Sequence, residues 1–108
     1  MISVIIPALN EEKTIAAVVR FAHQHPLVTE VLVVDDTSED KTAINATEAG
    51  GTVITSKKRG KGISMKDGIQ HAQNEILLFL DADIDPYPSE TITLLAEPIL
   101  QNEADFVK

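Results

Sequence analysis

The chain has 108 residues, 44% of them hydrophobic, which suits one domain or part of one with a real core and argues against a disordered chain. Its 17 acids against 9 bases leave a net charge of -8, the wrong sign for nonspecific nucleic-acid binding or for attraction to anionic lipid. Cysteine is absent, so disulfides and thiolate metal sites are ruled out.

Strand-like and helix-like patterns alternate along the chain. Ile2-Ser3-Val4-Ile5-Ile6 is β-branched and apolar, and Pro7 is expected to stop it. Ile15, Val18, Val19 and Ala22 recur at helical spacing, with Pro26 as the end signal. Val31-Leu32-Val33-Val34 predicts a second buried strand that stops at Asp35-Asp36. Thr37 to Asp40 carries helix-start chemistry, and the helix from Lys41 to Ala49 ends at Gly50-Gly51. Thr52-Val53-Ile54-Thr55 is a third strand. A helix follows from Gly62 to Gln73, with Met65, Ile69 and Ala72 as its expected inner face. Ile76 to Leu80 is a continuous apolar run, a fourth strand, and it ends in Asp81-Ala82-Asp83. Asp85-Pro86-Tyr87-Pro88 is a stiff loop. Ser89 is the expected N-cap of a helix bearing Ile92, Leu95 and Ile99, which Pro98 should kink or split. Ala104-Asp105-Phe106-Val107 starts a fifth strand, and this stop inside a strand pattern points to part of a longer domain.

The order β-α-β-α-β-α-β-α-(β) predicts an α/β fold: an open, mostly parallel sheet with helices on both faces and right-handed crossovers, Rossmann-like in kind. No apolar run approaches the roughly 20 residues of a membrane span. No secretory leader pattern is visible, so a cytoplasmic location is expected. Asn45-Ala46-Thr47 fits a glycosylation sequon and reads as ordinary helix surface.

Ligands of open parallel sheets bind beyond the carboxyl ends of the strands, where strand order reverses. The polar segments follow that rule. They are Pro7 to Glu12, Asp35-Asp36, the bases Lys57, Lys58, Arg59 and Lys61, and Asp81-Ala82-Asp83. With a 3-2-1-4 order, the first and last of these are neighbours. Alternate strand residues share a side, so Asp81 and Asp83 face the same way if strand geometry lasts that far. Two hard oxygen donors suit Mg²⁺ or Mn²⁺, which can in turn hold a diphosphate. Gly60 and Gly62 flank Lys61 at a helix start, a plausible phosphate site. There is no G-x-G-x-x-G after the first strand and no P-loop, which removes the usual nucleotide motifs. His23, His25 and His71 read as helix-end or surface residues.

Four segments together resemble the donor-binding half of A-type, family 2 glycosyltransferases. They are Ser3 to Glu12, Val33-Val34-Asp35-Asp36 with Ser38, Asp40 and Thr42, Gly60-Lys61-Gly62, and Phe79 to Asp83. A narrower likeness, through Pro7 to Glu12, Gly60-Lys61-Gly62 and Asp81 to Pro88, is to glucosyl-3-phosphoglycerate synthases. Asp36 departs from that group, where serine is common. The resemblance implies a UDP- or GDP-linked sugar as ligand and transfer to an acceptor, either 3-phosphoglycerate or a polyprenyl phosphate. It implies that Pro7, Ala8, Leu9, Glu11, Asp36, Lys61, Asp81 and Ala82 line the nucleotide-sugar site, and that Asp81 and Asp83 face a divalent metal. No residue here occupies the family's acceptor or catalytic-base role, so the chain alone is expected to transfer little sugar. The alternative is a noncatalytic nucleotide-binding or assembly module. An unfinished sheet leaves an open edge through which copies could pair.

Overall fold

The computed structural model describes residues 1–56 and 60–100, and the backbone but not the side chain of Lys61. Lys57, Lys58, Arg59 and the fifth strand expected at Ala104 to Val107 lie outside the described residues. The strands are β1 (Ile2–Ala8), β2 (Val28–Asp35), β3 (Thr52–Thr55) and β4 (Ile76–Phe79). The helices are α1 (Ile15–His23), α2 (Thr42–Glu48), α3 (Lys61–His71) and α4 (Thr91–Leu100). All strands pair in parallel, in the order β3-β2-β1-β4. The expected reversal therefore lies between β1 and β4.

The period of two in β1 divides the core. Ile2, Val4, Ile6 and Ala8 pack with Ile15, Val18, Val19 and Ala22 of α1, Ala46 of α2, and Ile92 and Ala96 of α4. Ile5 turns to the other face and packs with Leu32, Val34 and Phe79 beside Met65 of α3. Three helices thus cover one face and α3 the other, as the alternating pattern requires.

Several expected boundaries and faces are corrected. Pro7 does not stop β1, which pairs on with β2 through Pro7 and Ala8. The β1–β4 ladder does end there. Leu80 N–H donates to the Ile5 carbonyl (3.1 Å), and the next bond would run from residue 7 to Leu80. Proline has no N–H to give, so β4 is released one residue before Asp81.

β2 begins at Val28 rather than Val31. Its polar start is absorbed by a knot at the amino end of the sheet. Buried Ser3 donates to Glu30 (2.6 Å), which also accepts the Gln73 N–H (2.9 Å). Asn74 Nδ2 donates to Ser3 (3.0 Å) and to Thr29 (2.9 Å).

The inner face of α3 is Ser64, Asp67 and Gly68, with Met65 and Ala72 only partly buried and Ile69 exposed. A Cβ at Gly68 would collide with Ile5, so the helix lies too close to β1 for large side chains between them. Pro98 does not split α4, which runs to Leu100. The Ser89 hydroxyl bonds the Glu90 carboxylate (2.6 Å) rather than a main-chain N–H.

Candidate nucleotide-sugar site

The segments after β1 and β2 lock together through side chains that accept main-chain N–H groups. Asn10 N–H donates to Ser38 (2.9 Å), Glu11 N–H to Thr42 (2.8 Å) and Glu12 N–H to Asp40 (3.2 Å). The reverse bonds run from Glu39 N–H to Asn10 (2.9 Å) and from Lys41 N–H to Glu12 (3.2 Å). Asp40 also takes the N–H of Thr42 (2.9 Å) and its hydroxyl. These hydrogen bonds outweigh desolvation and hold the Asp40 carboxyl below its ordinary range. Asn10 and Thr37 have φ of 53° and 58°. A β-branched residue there costs on the order of 1–3 kcal/mol and persists only where its surroundings over-determine it. The reciprocal bonds supply that constraint.

Asp36 lies inside this frame, only 5% exposed. Its N–H donates to the Ala8 carbonyl (2.8 Å), which fixes it at the strand end. Its Oδ2 accepts the N–H of Gly60 (3.0 Å), the residue before α3. Gly60 has φ of 137°, which favours glycine. The other oxygen, Oδ1, is buried with no hydrogen-bond partner among the described residues. A buried carboxylate oxygen in that state is costly unless a ligand donates to it.

On the other side of β1, the Asp81–Asp83 segment is a turn, not a strand end. The strand alternation expected to align the two acids stops at Phe79. Asp81 is half-buried, Ala82 buried and Asp83 exposed. The turn is held through its main chain. Tyr87 Oη accepts the Asp81 N–H (2.7 Å) and donates to the Asp81 carbonyl (3.0 Å). Thr14 Oγ1 donates to the Ala82 carbonyl (2.6 Å). Neither Thr14 nor Tyr87 stood out in the sequence, although an aromatic ring between two prolines six residues past an acid is a usable signal.

The two sides meet electrostatically. Burial raises the Glu11 carboxyl above its ordinary value of 4.5, and the charges of Asp83 and Asp40 raise it further. Burial likewise raises the Tyr87 hydroxyl, with Asp81 and Asp83 adding to it against the Asp81 hydrogen bond. Glu11 of the first loop therefore feels the charge of Asp83 in the fourth, and a cation beside them would relieve the repulsion.

Among the described residues no three carboxylates or histidines assemble a complete metal site. Two carboxylates are nonetheless the usual protein share for Mg²⁺, which keeps waters and takes the rest of its shell from phosphate oxygens. The donor set fits a cation that arrives with a diphosphate.

Of the expected site residues, Pro7, Ala8, Leu9, Glu11, Asp36, Asp81, Ala82 and Asp83 all belong to the strand ends and loops at one end of the sheet. Leu9 is at the surface and Ala8 and Ala82 are buried. The side chain of Lys61 is not described, but its backbone opens α3. His23 and His71 bond the carbonyls of Gly50 (3.0 Å) and Asp67 (2.9 Å), and His25 bonds Thr93 (3.2 Å); all three serve structure.

Known proteins carry the same pattern. The profile of Glycosyl transferase family 2 matches residues 3–108. Protein RfbJ of Shigella flexneri is 32% identical over 106 residues, covering 98% of this chain and 81% of that protein. The glucosyl-3-phosphoglycerate synthase of Mycolicibacterium smegmatis is 36% identical over 110 residues, covering 92% of this chain but 36% of the enzyme. The crystal structure of the Mycobacterium tuberculosis enzyme with Mn²⁺, UDP-glucose and phosphoglyceric acid superposes with a TM-score of 0.88 at 31% identity, covering 95% of this chain and 40% of that one. The same synthase has been crystallised with Mg²⁺ and UDP. The chain spans between about a quarter and four fifths of the length of such relatives. The fold is that of the A-type glycosyltransferases, and the chain belongs to glycosyl transferase family 2.

Proposed function

We infer that this chain is the donor-binding part of a metal-dependent glycosyltransferase. It holds a nucleotide-diphospho-sugar across the β1–β4 switch and presents the sugar for transfer to an acceptor. The observation that carries this is the division of labour among the acids. Asp36 keeps one buried oxygen without a partner among the described residues at the β2 end, while Asp81 and Asp83 sit in a main-chain-clamped turn across β1.

Asp36 Oδ1 is suited to accept an imide N–H, which uracil and guanine possess and adenine lacks. By the resemblance, Pro7, Ala8 and Leu9 would line the base beside it, and Glu11 would meet the ribose. Asp81 and Asp83 would hold Mg²⁺ or Mn²⁺ against the diphosphate. The cation offsets charge that builds on the departing nucleotide, and Lys61 at the start of α3 would add to it. Because the protein supplies only two carboxylates, metal and nucleotide should bind together, each weakly alone.

The acceptor we propose is 3-phosphoglycerate, which the glucosyl-3-phosphoglycerate synthases among the relatives support, or else a polyprenyl phosphate. No residue of this chain matches the family's acceptor or catalytic-base positions, so the isolated chain should bind donor and transfer little.

Thermal unfolding with UDP, GDP or ADP, each with and without Mn²⁺, tests the reading. Ligand at about 100 times its dissociation constant should stabilise the fold by roughly 2.7 kcal/mol. Metal-dependent stabilisation by UDP or GDP but not ADP is the expected result. Equal responses to all three, or no dependence on metal, would overturn it.

A further inference from the structure

We propose that Tyr87, seated on Phe21 and seconded by Thr14, is the positioning residue that shapes the Asp81–Asp83 turn for its cation. The proposal rests on the metal-dependent reading above and adds to it the residues that set the geometry.

The need for such a residue follows from Pro7. The β1–β4 ladder stops at the Leu80 N–H, one residue before the acid turn. Leu80 points its N–H at β1, and the main chain of Asp81, past the last residue of β4, meets Tyr87 instead. No described strand lies on the outer edge of β4. A single phenol holds the main chain there: it accepts the Asp81 N–H at 2.7 Å and donates to the Asp81 carbonyl at 3.0 Å. From the opposite side, Thr14 reaches the next carbonyl, that of Ala82, at 2.6 Å. Both main-chain groups of Asp81 and the carbonyl of Ala82 are thus fixed by side chains from outside the turn.

The clamp is itself held. The Tyr87 ring stacks on Phe21 of α1, with centroids 5.2 Å apart and planes 15° from parallel. Thr14 precedes the same helix and its N–H donates to the Glu11 carbonyl (3.2 Å). Helix α1 therefore ties the first loop to the acid turn. Carboxylates that receive a metal need their orientation set by outer partners, and loss of such a partner typically weakens metal binding by 10–100-fold.

The variant Tyr87→Phe keeps the ring and its stacking and deletes the oxygen. The measurement is ¹⁵N NMR titration of the 108-residue chain with UDP, then with Mg²⁺ at saturating UDP. We expect about a tenfold loss of Mg²⁺ affinity, with UDP affinity without metal unchanged and the amide of Asp81 exchanging faster. Thr14→Val should repeat the loss from the other side and Thr14→Ser should restore it; that pair carries the test if Tyr87→Phe does not fold. Wild-type Mg²⁺ affinity in Tyr87→Phe and Thr14→Val would refute the positioning role and leave the site reading standing. Failure of the unaltered chain to respond to Mg²⁺ with UDP would refute the site reading, and the positioning role with it.

Discussion

The two acidic regions flanking β1 are built in opposite ways. In the corner formed by the loops after β1 and β2, carboxylates serve the backbone: Asp40 accepts from Glu12 and Thr42, Glu12 accepts from Lys41, and Asp35 accepts from Ser38 (3.2 Å). In the turn after β4, the backbone is served by neutral hydroxyls, those of Tyr87 and Thr14. Asp83 there is exposed and its carboxylate accepts no hydrogen bond among the described residues. Hydrogen-bond accounting, rather than the number of acids, separates structural carboxylates from those left for a ligand.

The sharpest way to break this comparison is Asp83→Ala. It should remove the metal-dependent part of nucleotide stabilisation, up to the roughly 2.7 kcal/mol available at 100 times the dissociation constant. The melting temperature without ligand should stay within a degree or two, because no described hydrogen bond is lost. Loss of folding would move Asp83 into the structural class.

The opposite result is expected at Thr42, which is fully buried. Its hydroxyl accepts the Glu11 N–H and donates to Asp40. Thr42→Val leaves the part-buried Glu11 N–H without its acceptor and removes one of the hydrogen bonds to Asp40, and should cost about 1–3 kcal/mol. That is a fall of roughly 4–8 °C per kcal/mol for a domain of this size. Differential scanning calorimetry would measure it. A larger effect on metal affinity than on stability would erase the distinction between the two regions.

Much of this arrangement was legible in the sequence. The β-branched runs and punctuating acids located the four strands, and the loops after β1, β2 and β4 lie at one end of the sheet, as a 3-2-1-4 order requires. What could not be read were features that depend on distance between elements. Pro7 looks like a strand terminator, yet it ends only the ladder on the β4 side. Thr29 and Glu30 look like loop, because Ser3, Gln73 and Asn74 are what satisfy them. Met65 and Ile69 look like the inner face of α3. The close approach at Gly68 instead selects Ser64 and Asp67 for burial. In the site, residue types announced Asp36, Asp81 and Asp83. Thr14 and Tyr87 act through main-chain groups of another segment, and no periodicity encodes that.

Asp36 belongs to both regions, since one oxygen holds Gly60 and the other has no described partner. Asp36→Asn sharpens the comparison by splitting the two roles. An asparagine whose oxygen still accepts from Gly60 turns its NH₂ toward the position of Oδ1. A base imide then meets a donor instead of an acceptor. UDP affinity should fall about tenfold, equivalent to roughly 1.4 kcal/mol. Stability should hold or rise, because a buried charge is removed. Isothermal titration calorimetry with UDP and Mn²⁺ gives the first quantity and thermal unfolding the second. Unchanged affinity would return Asp36 wholly to the structural class.

The smallest expected effect lies at Glu11, where the regions touch. Its folded-state pKa is raised, by burial first and then by Asp83 and Asp40. A carboxyl raised in the folded state binds its proton more tightly there than in the unfolded chain. Its contribution to stability is therefore most favourable below the unfolded value and declines as pH rises through the folded one. Glu11→Gln should raise the melting temperature slightly at neutral pH, and the gain should vanish as pH falls toward 4.5, the ordinary value for glutamate. With UDP and Mg²⁺ bound, the cation offsets the repulsion from Asp83, so the gain at neutral pH should shrink. A gain that is indifferent to both pH and metal would mean that Glu11 does not feel the acid turn, and the two loops would lose their electrostatic link.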